Sequence, residues 1–204
     1  MSNSDRRSRR KQLTRNLLSD AFIDLILENN DAESVSISEI TNRADFNRGT
    51  FYIHYQDKKD ILEDLYQDAI EGVYKSMMIP YRGIDRVNID KTIPSIKLLF
   101  EHINKHKKLF KALDRIESYP DLYHRLEKCL LNIFTEEIQL ERDTVTLEEE
   151  YEILINFEMH GTIGVIKYWI RTDFAHSVDF MVEQVISLKK HKVIGMKFKK
   201  QNLN

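Results

Sequence analysis

Apolar residues recur at intervals of three and four along most of this sequence, and this spacing favours helices. The first run lies between residues 13 and 26 and contains Leu13, Leu17, Leu18, Ala21, Phe22, Leu25 and Ile26. Residues three and four apart share one face of an α-helix. The 204 residues include only six glycines and three prolines, whereas sheet proteins normally need many more turn residues. We therefore predict an all-α fold of about nine helices.

The first 78 residues have the spacing and the capping residues of four helices. Ser36 and Glu39 have the spacing of a capping box, in which each side chain accepts a hydrogen bond from the backbone of the other residue. Asp45-Phe46-Asn47 indicates a tight turn, and Asn47 is the predicted N-cap of a helix over 48–55. A longer helix over 57–78, roughly 30 Å long, follows. A short helix, a three-residue turn and a second short helix form a helix-turn-helix.

The second helix of such a motif lies in the major groove of DNA and contacts base edges from its N-terminal end. The polar residues here suit that position, because arginine can donate paired hydrogen bonds to guanine and aromatic residues with polar tips can contact phosphates. The residues that we assign to DNA on this basis are Arg48, Gly49, Thr50, Tyr52, His54, Tyr55 and Lys58. A plain helical hairpin explains the apolar spacing equally well, but not the gathering of these polar residues.

Charge is distributed unevenly along the chain. Residues 1–15 hold six basic residues and one acidic residue, whereas residues 16–45 hold one basic residue and seven acidic ones. A basic segment can neutralise phosphates in a salt-dependent contact. A solvated, disordered terminus explains such a charge run as well, and taken alone we favour it. We predict a basic flexible arm over 1–12 and a basic tail over 191–204.

Four short motifs resemble one known family. They are Thr14-Arg15 with Leu18 and Ala21-Phe22, then Ser36-Ile37-Ser38-Glu39-Ile40, then Gly49-Thr50-Phe51-Tyr52-Ile53-His54-Tyr55, and then Asp57-Lys58-Lys59-Asp60-Ile61-Leu62. Together they are similar to the DNA-binding domain of the tetracycline-repressor (TetR/AcrR) family over about residues 10–65. Two departures are Asp45-Phe46-Asn47, where the family often has Gly-Val-Ser, and Ile53, where an aromatic residue is common.

The resemblance implies a set of DNA contacts and a mode of assembly. It adds Ser38 and Thr41 of the second helix to the DNA-contacting residues given above, and it implies that Tyr52 holds a phosphate. It also implies a homodimer formed by the last two helices and a palindromic operator in double-stranded DNA. Repression is the more common output in this family, although some members activate transcription. The resemblance leaves open whether an effector releases the DNA, and whether that effector is a small molecule or a protein.

The remaining sequence predicts a connection over 79–94 and a C-terminal helical domain over 95–190. With these, the predicted helix-turn-helix domain covers 13–56 and the connecting helix 57–78. The C-terminal helices are expected over 95–116, with a break near Asn104-Lys105, and then over 120–140, 148–170 and 174–188. This domain carries an aromatic and aliphatic stripe that either lines a ligand pocket or forms plain core. Its members are Phe100, Ile103, Phe110, Leu113, Tyr123, Leu126, Phe134, Phe157 and Trp169.

Two glycines in the penultimate helix suggest a close contact between helices. Gly161 and Gly164 are three apart, and each glycine inside a helix costs about 1 kcal/mol relative to alanine. The resemblance implies that they lie in the dimer interface, although packing within the chain explains them equally well. The other residues that we assign to this interface are Val165, Tyr168, Phe180, Met181, Val185 and Leu188.

The sequence contains no phosphate-binding glycine loop and no hydrolase or zinc-protease motif, so we predict neither an enzyme nor a cofactor. His102 and His106 have the spacing of a metal pair, but Lys105, Lys107 and Lys108 would repel a cation, and we favour a solvated face. No stretch is apolar enough to span a membrane. A single cysteine, Cys129, fits a reducing cytoplasm.

We predict a cytoplasmic homodimeric transcriptional regulator without metal. The alternative is a helical effector-binding or protein-interaction module without DNA binding. The acidic residues before the recognition helix, Asp45 included, favour that alternative.

Overall fold

The computed structural model describes residues 3–87, 93–117, 121–138 and 148–190. Within these ranges the backbone forms nine α-helices and no strand, which confirms the predicted all-α class. The helices are α1 (Asn3–Asn29), α2 (Ile37–Arg43), α3 (Arg48–His54), α4 (Lys58–Met78), α5 (Ile93–Lys105), α6 (Lys107–Asp114), α7 (Leu122–Asn132), α8 (Glu148–Arg171) and α9 (Val178–Lys190). A 3₁₀ turn over Ile79–Tyr81 follows α4, and a π-helical turn over Ile133–Glu137 follows α7.

The first three helices and the start of α4 enclose one apolar core, and we call this unit, residues 13–65, the head. Phe22, Ile40 and Phe51 are completely buried in it, and Ile61 of α4 is buried with them. Burial of each such side chain stabilises the fold by about 1.5–3 kcal/mol. The head is therefore held together by side chains from all four helices.

Helix α4 joins the head to the C-terminal helices by a stripe of buried residues. Ile61, Leu65, Ala69 and Val73 are spaced four apart and lie on one face of this helix. The face packs against α5, α6 and α7, so a single apolar core runs from α1 to α9. Because the stripe is continuous, a shift of α4 relative to the C-terminal helices would also move the head.

The His102 ring of α5 packs directly against Gly72 of α4. A Cβ atom placed on Gly72 would lie 2.0 Å from Cε1 of His102, because the imidazole ring occupies that space. The ring is held there by a hydrogen bond from Nε2 to the carbonyl oxygen of Ala69, at 3.3 Å, and by an edge contact with Phe110. His102 is therefore half-buried between helices, whereas we predicted a solvated face.

Trp169 anchors the C-terminal helices. Its ring is completely buried and contacts Phe100 of α5 and Phe174 in edge-to-face geometry, with ring centroids 5.3 and 4.9 Å away. Its indole Nε1 donates a hydrogen bond of 2.9 Å to the carbonyl oxygen of His176, in the connection between α8 and α9. A buried indole N–H requires such an acceptor, so this bond helps to fix the connection.

Over residues 3–12 the structure shows a helix where we predict a flexible arm over 1–12, and residues 1–2 lie outside the described residues. Helix α1 begins at Asn3, so the basic segment continues the helix that packs in the head. Arginine, lysine and glutamine are good helix formers, and no glycine or proline interrupts the segment. Propagation from an existing helix also avoids the unfavourable nucleation step.

Other predicted boundaries differ by a few residues or cannot be compared. Helix α5 begins at Ile93 rather than at residue 95, and the break between α5 and α6 falls at His106, next to the predicted Asn104-Lys105. Residues 88–92 of the predicted connection and the basic tail over 191–204 lie outside the described residues.

The contact at Gly72 generates a stability prediction. Gly72→Ala forces a methyl group into the His102 ring, so we expect a loss of about 1–3 kcal/mol in the free energy of unfolding, despite the better helix propensity of alanine. In a His102→Ala background the space is free, and Gly72→Ala should then be neutral or stabilising. Urea denaturation of the four proteins measures this coupling. A Gly72→Ala protein as stable as wild type would contradict the assigned contact.

Candidate nucleic-acid interface

The turn between α2 and α3 is closed by backbone hydrogen bonds. The amide of Phe46 donates to the carbonyl of Thr41 at 2.8 Å, and the amide of Asp45 donates to the carbonyl of Asn42 at 3.2 Å. This pattern ends a helix with one residue in the left-handed region, and Asp45 is that residue, with φ of 58°. Aspartate tolerates this conformation better than most residues, although glycine adopts it more easily.

Both helices of the motif have the predicted N-terminal caps. Ser36 Oγ accepts from the amide of Glu39 at 3.2 Å, and Glu39 Oε2 accepts from the amide of Ser36 at 2.8 Å, which confirms the capping box. Asn47 Oδ1 accepts from the amide of Thr50 at 2.8 Å and caps α3. These local bonds set where α3 starts and thereby which of its residues face outward.

Helix α3 has a buried side and an exposed side. Phe51 is completely buried, with the rings of Tyr52 and Tyr55 at 5.7 and 5.5 Å from its ring centroid. On the other side Arg48, Gly49 and Tyr52 are exposed, Tyr52 by 58%. The structure therefore presents the first turn of α3 and the Tyr52 ring to solvent. Thr50 and His54 are half-buried beside them.

Arg48 and Ser38, both predicted DNA contacts, bind each other. The guanidinium Nε of Arg48 donates to Ser38 Oγ at 2.7 Å, and Nη2 contacts the same oxygen. The contact joins the start of α3 to α2 at the protein surface. In the same place a phosphate would be a stronger partner for the guanidinium because it is charged, and a guanine edge because it accepts two hydrogen bonds at once.

Lys58 lies at the start of α4, where Asp57 caps the helix by accepting from the amides of Lys59 and Asp60. Its ammonium donates to the carbonyl oxygen of Glu33 at 2.6 Å and lies 3.6 Å from the Glu33 carboxylate. The lysine therefore ties α4 to the loop between α1 and α2.

Thr41 and Tyr55 are buried, and this corrects the prediction that their side chains face DNA. Thr41 is 1% exposed, and its hydroxyl donates to the carbonyl of Ser38 at 3.1 Å. Tyr55 is 4% exposed, and burial raises its pKa to about 12. Its ring lies against Phe51 and beneath the Arg15 guanidinium, 4.8 Å from the ring centroid. Both positions follow the apolar side of their helix, which the local motif did not reveal.

Arg15 of α1 lies against Tyr55 at the end of α3. Lys11, one helical turn earlier, affects the pKa of His54, and the motifs do not indicate either relation. Arg15 pairs with Asp64 of α4 as well as covering Tyr55. Burial lowers the pKa of His54, and the positive charges of Lys11 and Arg15 lower it further. Lys11 and Arg15 are four residues apart on one helix, which is the only signal that could have linked them.

The predicted dimer residues divide into an exposed and a buried group. Gly161, Gly164, Tyr168, Phe180 and Leu188 are exposed, and Val165 is half-buried. Met181 and Val185 are buried in the core of the chain itself, so their assignment to an outer interface is corrected.

The two glycines lie on an open face. A Cβ atom on Gly161 or Gly164 meets no described atom within 4 Å, so packing between the described helices does not explain them. Ile153 and Phe157 are exposed on the same stripe of α8, four residues apart. We call Ile153, Phe157, Gly161, Gly164 and Tyr168 the α8 stripe.

The predicted pocket residues lie mostly in the core. Phe157 is the exception, because it is 75% exposed on the α8 stripe and is far too open for a buried pocket. Tyr123 and Phe134 are half-buried, and the Tyr123 hydroxyl donates to Asp114. The remaining six are buried, namely Phe100, Ile103, Phe110, Leu113, Leu126 and Trp169.

Two other kinds of site are absent from the described ranges. No group of three histidine, cysteine, aspartate or glutamate residues there has an arrangement that could hold a metal ion. No helix in those ranges is long and apolar enough to cross a membrane.

Two family models match the chain. One, described as the C-terminal region of a transcriptional regulator, matches residues 90–191, which is half of the sequence. The other, described as bacterial regulatory proteins of the tetR family, matches residues 26–65 and so includes α2, α3 and the start of α4.

A curated relative of known sequence has low identity to this chain. YxbF of Bacillus subtilis (strain 168), an uncharacterized HTH-type transcriptional regulator, is 24% identical over 168 residues, a match that covers 82% of this chain and 42% of YxbF. The chain thus spans about two fifths of the length of this curated relative.

Solved structures share the fold. A TetR transcriptional regulator from Streptococcus agalactiae 2603V is 21% identical with a TM-score of 0.59, covering 91% of this chain and 98% of that one. DhaS, a dihydroxyacetone kinase operon activator, is 17% identical with a TM-score of 0.57, covering 86% and 93%. At these identities the likeness establishes the fold alone.

The strained turn gives a second prediction. Asp45→Gly should raise the free energy of unfolding by up to about 1 kcal/mol, because glycine adopts a positive φ without steric strain. Asp45→Ala should lower it by about 1 kcal/mol, because a Cβ atom without a polar group gains nothing in that region. Thermal denaturation of the three proteins tests this order. Equal stability of the glycine and alanine variants would show that the turn is unstrained.

Proposed function

This chain belongs to the tetR family of bacterial regulatory proteins, and we propose that it represses transcription as a homodimer bound to a palindromic operator. Membership makes the chain a transcriptional regulator of a DNA-binding family. The dimer, the symmetry of the operator, the residues that contact DNA and the sign of regulation are the proposed parts.

The exposed first turn of α3 is the observation that carries the proposal. The buried Phe51 fixes which side of α3 faces the core of the head, and the Asn47 cap sets where α3 begins. Arg48, Gly49 and Tyr52 are therefore exposed together. In a major groove, Arg48 would exchange Ser38 Oγ for the acceptors of a guanine, and Gly49 would let the backbone come close. Thr50, half-buried beside them, would contact a base or a phosphate.

The phosphate contacts surround this turn. Tyr52 would donate its hydroxyl to the DNA backbone, and Lys58 would turn its ammonium from the Glu33 carbonyl towards a phosphate beside the start of α4. Ser38 and His54 stand at the edges of the same surface. Such contacts position the head, whereas Arg48 provides the sequence discrimination.

A second copy of the chain is the proposed partner of the α8 stripe. The stripe exposes three large side chains and two glycines along one helix, and Phe180 and Leu188 of α9 are exposed as well. Close approach of two α8 helices at the glycines would bury these groups. One short recognition helix reads few base pairs, whereas two heads related by a dyad read half-sites about 34–36 Å apart or further.

An effector would act by changing the distance between the two heads. Helix α4 carries the head and also packs against α5, α6 and α7, so a ligand or protein that favours another arrangement of those helices would weaken DNA binding. The buried aromatic residues around Trp169 are the proposed site for a small molecule, entered by repacking the core.

A module that dimerises without binding DNA is the second candidate. The acidic side chain of Asp45, exposed in the turn of the motif, favours this candidate because it would repel phosphates. It predicts that the exposed residues of α3 can be replaced without consequence for the protein's activity.

A third prediction concerns DNA binding. Replacing Tyr52 and Lys58 together by alanine should weaken binding at least tenfold, about 1.4 kcal/mol, because neither side chain then holds a phosphate. We would measure fluorescence anisotropy on duplex DNA from upstream of the protein's own gene, with a scrambled duplex for comparison and several salt concentrations.

Lys75→Ala is the matched control, because Lys75 is exposed on α4 roughly 26 Å from Lys58 along the helix. Its DNA affinity should equal that of wild type. Wild-type protein that selects no fragment from a genome-wide pool would favour the interaction module. A reporter fused to the selected fragment then gives the sign of regulation.

A fourth prediction concerns the dimer. Gly164→Leu should shift the protein from dimer to monomer on a sizing column, because leucine would hold two α8 helices apart. The fold should survive, since nothing described lies within 4 Å of a Cβ atom at this position. Glu152→Leu adds the same side chain at an exposed residue of α8 outside the stripe and should remain dimeric. A dimeric Gly164→Leu protein would refute this interface.

A further inference from the structure

Helix α1 extends well beyond the head. Its first completely buried residue is Leu18, whereas every residue from 5 to 13 is exposed. At 1.5 Å per residue, the helix from Asn3 to Leu13 is about 16 Å long. We call its described side chains over 5–11 the basic extension. It contains Arg6, Arg7, Arg9, Arg10 and Lys11, with Asp5 as the one acidic residue.

The head itself has the wrong charge for a DNA-binding unit. Residues 13–65 contain eleven aspartates and glutamates against five arginines and lysines. Duplex DNA carries one negative charge per about 1.7 Å of its axis, so a head with a negative net charge is repelled before any specific contact forms. Most of the attraction must therefore come from basic residues outside the head.

Three of the five basic residues of the head, Arg15, Arg43 and Lys58, are already engaged by carboxylates. Arg43 makes two hydrogen bonds with Glu28, at 2.7 and 2.8 Å, and Arg15 is paired with Asp64. Lys58 lies 3.6 Å from a Glu33 carboxylate oxygen. These pairs reduce the charge that the head can offer to a phosphate.

The basic extension differs in this respect. The side chains of Arg6, Arg7, Arg10 and Lys11 form no ion pair with any residue that the structure describes, and all four are exposed. Arg7, Lys11 and Arg15 are spaced four apart and so share one face of α1.

That face passes the end of the recognition helix. Arg15 covers the ring of Tyr55, the residue after α3. The positive charges of Lys11 and Arg15 also contribute to the lowered pKa of His54, the last residue of α3. The extension therefore leaves the head next to α3.

We propose that the basic extension of α1 is a second DNA-binding element, which contacts the phosphodiester backbone while α3 contacts the bases. It supplies the attraction that the acidic head lacks, and it contributes affinity without sequence preference. This inference rests on the proposed function, because it assumes that the head docks on duplex DNA.

The test compares two triple variants of the full-length protein on the fragment that wild type selects. Arg6, Arg7 and Arg10 are replaced by glutamine in the first, which preserves helix propensity. Lys105, Lys107 and Lys128, exposed on α5, α6 and α7 and without an ion pair to any described residue, are replaced by glutamine in the second, which removes the same charge elsewhere. Affinity is measured by anisotropy from about 50 to 200 mM salt.

We expect the extension variant to bind at least tenfold more weakly at low salt, with the slope of log affinity against log salt reduced by about 0.9 for each phosphate that the variant no longer neutralises. The ratio of affinities for operator and scrambled duplex should stay unchanged, and the control variant should match wild type. Circular dichroism verifies that both variants keep their helices.

The outcomes separate this inference from the proposed function. If wild type binds DNA selectively and the extension variant shows the same affinity and salt slope, the inference is wrong and the segment is a solvated terminus or binds another anionic partner. Equal losses in both variants would also overturn it, because the effect would then depend on net charge alone. If wild type selects no DNA, the proposed function has failed.

Discussion

The buried stripe of α4 is the contact on which the rest of the molecule depends. Ile61 and Leu65 complete the core of the head, and Ala69 and Val73 belong to the core of the C-terminal helices. One helix therefore joins the head to the C-terminal helices, because these four buried residues follow one another along one side of α4. The His102 ring against Gly72 fixes how closely α4 and α5 approach. In the proposed mechanism, this rigid connection transmits movement of the C-terminal helices to the head.

Polar and charged interactions have a different role, since they position the head and set its long-range attraction. The capping box and the Asn47 cap set where α2 and α3 begin, and the bonds around Asp45 set the turn between them. Exposed ion pairs such as Arg43 with Glu28 contribute little stability on their own. Their larger effect is to occupy basic groups, which is why the proposed DNA affinity depends on the basic extension.

Local patterns predicted the fold and the motif well, and they failed where the orientation of a side chain depends on a distant helix. The caps at Ser36 and Asn47 depend only on residues within three positions of each other, and the structure shows both. The motif predicts that Thr41 and Tyr55 contact DNA, yet both side chains pack inward. Phe157 was assigned to a pocket because of its type and spacing, yet no described helix covers it.

The helices, their caps, the helix-turn-helix and the charge of each segment follow from the amino-acid sequence, because these properties depend on neighbouring residues. Which groups of different helices meet, and which single residues depart from the apolar pattern, follows only from the tertiary structure. Examples are His102 against Gly72, Arg15 over Tyr55, and Met181 and Val185 in the core rather than on the outer face. The physical reason is that burial depends on which helices pack together, and residues far apart in the sequence make those contacts.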